Sequence, residues 1–290
     1  MKEFKITIDN HTFYGYECGN QSAPSLICLH GMTGDSNSFG GLAEYLKDDF
    51  HLIFLDSPGH GKTPPLEHEE DYIFSSLVKR IDQVVEQLSK GAFYILGHSW
   101  GGDLALNFTK KYPEKVKGMI LIDGGYVFPE HVEGLTKEKA LSAWEEYEEY
   151  IDTAVYSSWK DVVDTYQAYT TKKWNNHLDH IIISNFDKVD GKFKLKADTF
   201  SLLSTIKAFY IEPSSSTYES IKCPTLFFHA TVPIEDDSRT EGIKKIKKGI
   251  ERVKVVGINN TKHNLHWDSP KKVSDEIIGW MSSLKTTYLS

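Results

Sequence analysis

Short apolar runs alternate with amphipathic stretches over most of this chain. Residues 3–8 and 12–18 alternate apolar and polar positions, which predicts two strands joined at Asp9-Asn10-His11 as a hairpin. Ser25 to Leu29 and Phe50 to Leu55 are continuous apolar runs and read as buried strands. Between them Phe39, Leu42 and Leu46 fall on one face of a predicted helix that follows the turn-rich Gly34-Asp35-Ser36-Asn37. Ile73, Leu77, Ile81, Val84, Val85 and Leu88 repeat at helical spacing over 71–89. Ala92 to Leu96 then predicts a strand, residues 102–112 a helix, and Val116 to Ile122 a further strand. Alternation stops at 127 and resumes at Thr225 to His229, with a helix over 237–250, a strand over 252–257 and a final helix over 269–284. Strands alternating with helices predict βαβ units and a mainly parallel sheet flanked by helices. Residues 127–212 show no comparable strand run and carry aromatics at irregular helical spacing, from Trp144, Tyr147 and Tyr150 to Tyr156, Trp159, Tyr166, Tyr169 and Trp174. The expected organisation is an α/β core over 1–126 and 213–290, with 127–212 as a helical cap inserted after the sixth strand.

Composition narrows this little. A chain of 290 residues with 40% hydrophobic and 26% charged residues is an ordinary globular protein with room for a sizeable core. A net charge of −8 without a long basic run argues against nucleic acid or an anionic membrane as a partner. The start of the chain alternates like a strand and lacks the apolar centre of a secretion signal, and no apolar stretch reaches membrane-spanning length, so a cytoplasmic location is expected. The three cysteines, Cys18, Cys28 and Cys223, form no close pairing motif and read as free thiols.

The chemistry concentrates at Gly97-His98-Ser99-Trp100-Gly101, between a predicted strand and a predicted helix. A residue at such a strand-to-helix corner sits in a strained turn that presents its side chain outward. Glycines two positions to either side let strand and helix approach closely. The helix N-terminus directs unpaired N–H groups and a positive dipole end at any oxyanion formed there. Together with His30-Gly31-Met32-Thr33-Gly34, the loop Asp56-Ser57-Pro58-Gly59-His60-Gly61 and the late His263-Asn264-Leu265-His266-Trp267-Asp268-Ser269-Pro270, this pentapeptide resembles the α/β-hydrolase superfamily in both order and spacing. The likeness covers residues 1–126 and 215–290, and the insertion matches a cap domain by position.

The resemblance implies Ser99 as nucleophile, activated by a late histidine. His263 stands seven residues before Pro270, the family's usual spacing, and His266 is the alternative. Backbone N–H groups of Met32 and Trp100 are the implied oxyanion hole. The acid is less plain. The usual place after the strand that follows the cap falls near Pro233, with Glu235, Asp236 and Asp237 next. The family also supplies the acid from the tip of the preceding strand, where Asp123 stands before Gly124-Gly125. Asp123 is the expected acid and Glu235 the alternative.

Two other patterns carry less. Gly59-His60-Gly61-Lys62-Thr63 ends like a phosphate-binding loop, but such a loop needs glycine where Asp56 stands. His177, Asp179 and His180 lack the spacing of a helical metal pair. The expected activity is hydrolysis of a carboxylic ester, lactone or related small acyl substrate through an acyl-enzyme, with no metal or organic cofactor. The aromatic-rich insertion suggests a largely apolar substrate. Carbon–carbon bond hydrolysis, perhydrolysis and a non-catalytic small-molecule receptor are the rival readings, because one fold hosts many functions.

Overall fold

The structure is a computed structural model that describes residues 1–126, 154–234 and 236–287. Its strands are β1 (Lys2–Ile8), β2 (His11–Gly19), β3 (Ser25–Leu29), β4 (His51–Leu55), β5 (Phe93–His98), β6 (Val116–Ile122), β7 (Val155–Tyr156), β8 (Phe186–Val189), β9 (Lys192–Leu195), β10 (Thr225–Ala230) and β11 (Val253–Ile258). The helices are α1 (Gly40–Leu46), α2 (Phe74–Leu88), α3 (Trp100–Lys111), α4 (Trp159–Tyr166), α5 (Asn176–Ile183), α6 (Thr199–Ile211), α7 (Asp237–Gly249), α8 (Leu265–Asp268) and α9 (Pro270–Thr287).

Eight strands form one sheet in the order β1-β2-β4-β3-β5-β6-β10-β11. The first two make the hairpin expected from sequence. Both Asp9 and Asn10 hold positive φ, at 48° and 65°, the backbone that a two-residue hairpin turn of matching twist requires. β2 meets β4 antiparallel, and from β4 onward every pairing is parallel. Apolar runs such as Leu26-Ile27-Cys28-Leu29 are buried on both faces, as parallel strands covered by helices must be. One face packs against α2 and α3 through Leu77, Val84, Leu104 and Phe108, and the other against α1 and α9 through Leu42, Leu46, Val273, Ile277 and Trp280.

The chain leaves the sheet after β6 and returns at β10, which pairs directly with β6 from Thr225 opposite Met119 onward. Between them, strands β7, β9 and β8 form a separate antiparallel sheet. The described part of the insertion is therefore not purely helical, and Asp190-Gly191 turns its hairpin, with φ of 49° and 80°. Val162, Leu178, Ile181, Ile182 and Phe186 make a small core there, with Trp159, Tyr166 and Trp174 packed around it and Trp267 joining from the α/β part. Trp144, Tyr147 and Tyr150 lie outside the described residues. Among the described residues no helix is long and apolar enough to cross a membrane. The three cysteines are free, Cys28 buried and the other two half-buried.

Candidate active site

Every parallel strand ends at the same edge of the sheet, and the tips of β5 and β6 carry the two strained residues that matter. Ser99 joins β5 to α3 with φ 52° and ψ −126°, and Asp123 follows β6 with φ 44°. Non-glycine residues rarely adopt positive φ, and such strain gathers at functional sites. The Ser99 corner is locked by its N–H donating to Ile122 O at 3.0 Å and its carbonyl accepting from Gly102 N at 2.8 Å. A Cβ on Gly97 would stand 2.0 Å from Gly101 O, and one on Gly101 would stand 2.0 Å from Leu29 O. Both glycines are therefore demanded by backbone packing. α3 begins at Trp100, so the Trp100 N–H is one of the donors that a helix start leaves without an intrahelical acceptor.

His263, in the loop between β11 and α8, is bonded through Nδ1 to Asp123 Oδ2 at 2.8 Å. Its side chain is 45% exposed whereas that of Asp123 is 6% exposed. Asp123 Oδ1 accepts from the Tyr126 hydroxyl at 2.8 Å and from Ala230 N at 3.1 Å. Burial by itself raises the Asp123 pKa, but the His263 bond and charge, the Ala230 N–H and the Tyr126 hydroxyl together outweigh it and hold the group below the usual carboxylate range. An ionised Asp123 accepts only, so His263 Nδ1 carries the proton and Nε2 is left as the basic nitrogen. His263 Nε2 has no hydrogen-bond partner among the described residues, and His263 shares a cavity wall with Ser99.

His266 is placed differently. It is 1% exposed, pairs through Nε2 with Ser38 Oγ at 3.1 Å, and is pushed down to about 3 by burial and then by His263. His98 is also buried, and its Nε2–H donates to His263 O at 3.2 Å, so it ties the elbow to the His263 loop. The Gly31-Met32 turn also packs against the elbow: a Cβ on Gly31 would lie 2.9 Å from His98 Nδ1 and 3.0 Å from Ser99 Cβ. That turn is held by His30, whose Nδ1–H donates to Gly31 O at 2.8 Å while its Nε2 accepts from Ser57 N at 3.0 Å. Gly31 thus abuts Ser99, and Met32 lines the same cavities as Ser99.

Two cavities meet at this point, and Met32, Ser99 and His263 wall both. The first, about 380 Å³, is rich in aromatic and apolar groups: Tyr156, Tyr166, Tyr169, Leu195 and Trp267. The second, about 330 Å³, is walled by Trp100, Asp103, Asp123, Tyr126, Phe209 and Arg239 among others. The expected site residues Ser99, His263, Asp123, Met32 and Trp100 therefore assemble at one place. Glu235 lies outside the described residues. Asp236 instead caps α7, accepting from Arg239 N at 2.8 Å. Asp179 accepts two indole N–H bonds, from Trp159 at 2.8 Å and Trp174 at 2.7 Å, so its role is structural. Sequence reasoning missed Tyr126, the Ala230 N–H and Arg239. Only Tyr126 left a trace in the sequence, as the polar-tipped aromatic three residues beyond Asp123.

Comparisons with known proteins bear on the family and the fold. A serine hydrolase-like protein from Homo sapiens is 35% identical over 123 residues, 42% of this chain and 61% of that protein. A proline iminopeptidase from Neisseria gonorrhoeae is 34% identical over 111 residues, 38% of this chain and 36% of that protein. The matched stretch spans only 37% of the Danio rerio serine hydrolase-like protein. Among solved structures, E-2-(acetamidomethylene)succinate hydrolase superposes with a TM-score of 0.76 at 20% identity, covering 97% of this chain and 98% of its own. An esterase from Exiguobacterium antarcticum gives 0.76 at 18% identity, covering 97% and 100%. The family model for the alpha/beta hydrolase fold matches residues 24–270, across the elbow, the insertion and the His263 loop, and the chain belongs to that family.

Proposed function

We propose that this protein is a serine hydrolase that cleaves a carboxylic ester, lactone or related acyl bond of a small molecule. The observation that carries the reading is the 2.8 Å His263–Asp123 bond, with Ser99 strained into the same cavity wall. In this reading Ser99 Oγ attacks the acyl carbon while His263 Nε2 takes the hydroxyl proton. The Met32 and Trp100 N–H groups hold the oxyanion. As the tetrahedral species collapses, the bond to the leaving alkoxide breaks and His263 returns the proton to it. Water then repeats the cycle on the acyl-enzyme, its proton passing to His263 and on to Ser99 Oγ, which releases the acid. Asp123 fixes the Nδ1–H tautomer and stabilises the imidazolium. None of these steps calls on a metal or cofactor. The Tyr156, Tyr166, Tyr169 and Trp267 wall supports an apolar portion of the substrate in the first cavity.

The test is a fluorophosphonate label followed by a panel of acyl esters, lactones and amides, including a proline arylamide. Wild type is expected to be labelled at Ser99 and to turn over esters or lactones. Ser99→Ala is expected to lose the label and at least about a thousandfold in kcat. A folded wild type without an adduct at Ser99 would leave the receptor reading, and amide turnover in place of ester turnover would make the enzyme a peptidase.

A further inference from the structure

The second cavity at Ser99 sets one buried cation in a largely apolar wall. Arg239 lies in the first turn of α7 with its side chain only 8% exposed, yet it lines this 330 Å³ space together with Ser99 and His263. A guanidinium offers five N–H donors in a planar fork and stays charged at any working pH. Among the described residues its partners are few. Nη2 donates to Pro233 O, and Nη1 stands 3.7 Å from Asp236 Oδ2, too far for a hydrogen bond. No other hydrogen bond from the guanidinium is formed among the described residues.

The other acids of the cavity are engaged elsewhere. Asp123 has its oxygens on His263, Tyr126 and Ala230 N, and Asp103 accepts from Ser214 Oγ at 2.6 Å. The Asp236 ion pair balances the charge at 3.7 Å, but one carbonyl hydrogen bond leaves most of a buried five-donor fork unsatisfied, which is costly unless a further acceptor meets it. The fork geometry suits a planar carboxylate taken in bidentate fashion.

We infer that Arg239 binds a carboxylate carried by the substrate, so that the enzyme acts on acyl compounds bearing a second, free acid group, such as half-esters of dicarboxylic acids. This rests on the hydrolase reading of Ser99 and specifies its substrate class. The reacting ester sits at Ser99, an apolar portion lies against the tyrosines of the first cavity, and the acid arm enters the second. The arm takes no part in bond making; its ion pair fixes which carbonyl reaches Ser99 Oγ.

The experiment compares monoethyl adipate with ethyl hexanoate, which differ by one terminal carboxylate, on wild type, Arg239→Gln and Arg239→Lys. Wild type is expected to favour the half-ester in kcat/KM. Arg239→Gln is expected to lower the half-ester to neutral-ester ratio by about 10–100-fold, the range for a hydrogen bond to a charged group. Arg239→Lys is expected to keep part of the preference, since an ammonium pairs without the fork. A wild type with no preference, or a ratio unmoved in Arg239→Gln while both activities fall together, overturns the inference and leaves Arg239 as a clamp on the Pro233 loop. Should Arg239→Gln fail to fold, wild type still decides. Adipate, and not 1,6-hexanediol, is expected to slow fluorophosphonate labelling of Ser99, and equal effects of the two overturn the inference. Labelling of Ser99 with no charge preference removes only the Arg239 assignment, whereas no labelling removes the hydrolase reading beneath it.

Discussion

At the scale of single residues, Ser99 and Asp123 share an uncommon property: each holds positive φ at the tip of one of two neighbouring strands. Strain of this kind persists only where the surroundings over-determine it. Asp123→Asn keeps the shape but puts an amide where the imidazolium needs an anion, so kcat is expected to fall by about 10³–10⁴-fold at neutral pH. Glu235→Gln is expected to change it little, and the reverse order would move the acid to Glu235. His263→Ala is expected to lose about as much as Ser99→Ala, and His266→Ala much less, because His266 is buried against Ser38. Steady-state kinetics on the four variants decides between the pairs. The motif residues were legible because turn chemistry and spacing are written locally: Gly97 and Gly101 mark backbone approaches that no side chain survives, and Gly31 one where a side chain would crowd His98 and Ser99. Tyr126 and the Ala230 N–H were not legible as partners of Asp123, since Ala230 lies 107 residues away and only the β6–β10 pairing brings it near. Arg239 was hidden for another reason. In a helix with Lys244, Lys245, Lys247 and Lys248, one more cation reads as solvated surface, yet this one is buried.

At the scale of elements, the α/β alternation was legible because buried parallel strands are continuous apolar runs. The small sheet of the insertion was not. Its strands run two to four residues, and β9 reads Lys192-Phe193-Lys194-Leu195, with the lysines exposed. The elements of the insertion also differ in what they hold. α6 belongs energetically to the main core, where Phe209 packs edge-on against Phe74 at 5.4 Å and Glu212 accepts from Ser75 N at 2.7 Å. α4 and α5 build the separate small core with Trp159 and Trp174. Phe209→Ala is therefore expected to lower global stability by about 3–5 kcal/mol, the cost of a core aromatic. Val162→Ala is expected to raise KM and broaden the substrate range while leaving the global transition nearly in place. Urea unfolding followed by far-ultraviolet circular dichroism separates the two. Equal losses of global stability would make the insertion one cooperative unit with the sheet. The same packing sets how a variant lacking the insertion should be cut: α6 has to remain.

At the scale of the whole molecule, stability should depend on pH through histidines that stay neutral. His60, His98 and His266 are all buried beside the site. Burial first, and then neighbouring histidines, push His60 and His266 down to about 3 and His98 well below its ordinary value. In the unfolded chain each would titrate near 6.5. Between roughly pH 3 and 6.5 the unfolded chain thus binds up to three more protons than the folded one, so folding stability rises with pH across that window and is level above it. Three such groups give a slope of at most about 4 kcal/mol per pH unit. Among the carboxylates, Asp123 and Asp35 act in opposite directions. Asp123, held low, adds stability that is lost only as pH falls through its depressed folded value. Asp35, raised by burial and by Asp56, acts oppositely, costing stability as pH rises through its elevated value, and so offsets one histidine's share near the bottom of the window. Against a net stability of about 5–15 kcal/mol, the slope brings cooperative acid unfolding between roughly pH 3 and 5, above the range in which carboxylates alone would drive it. Urea midpoints measured from pH 7.5 down to 4.5 are expected to stay level to about 6.5 and then drop steeply. His266→Asn is expected to be less stable at neutral pH, through lost packing against Phe39 and His98, but to show a slope reduced by about a third. Midpoints that do not move between pH 6.5 and 4.5 in wild type would mean that these histidines charge in the folded state, and the packing that keeps His98 tied to the His263 loop would then have to be abandoned.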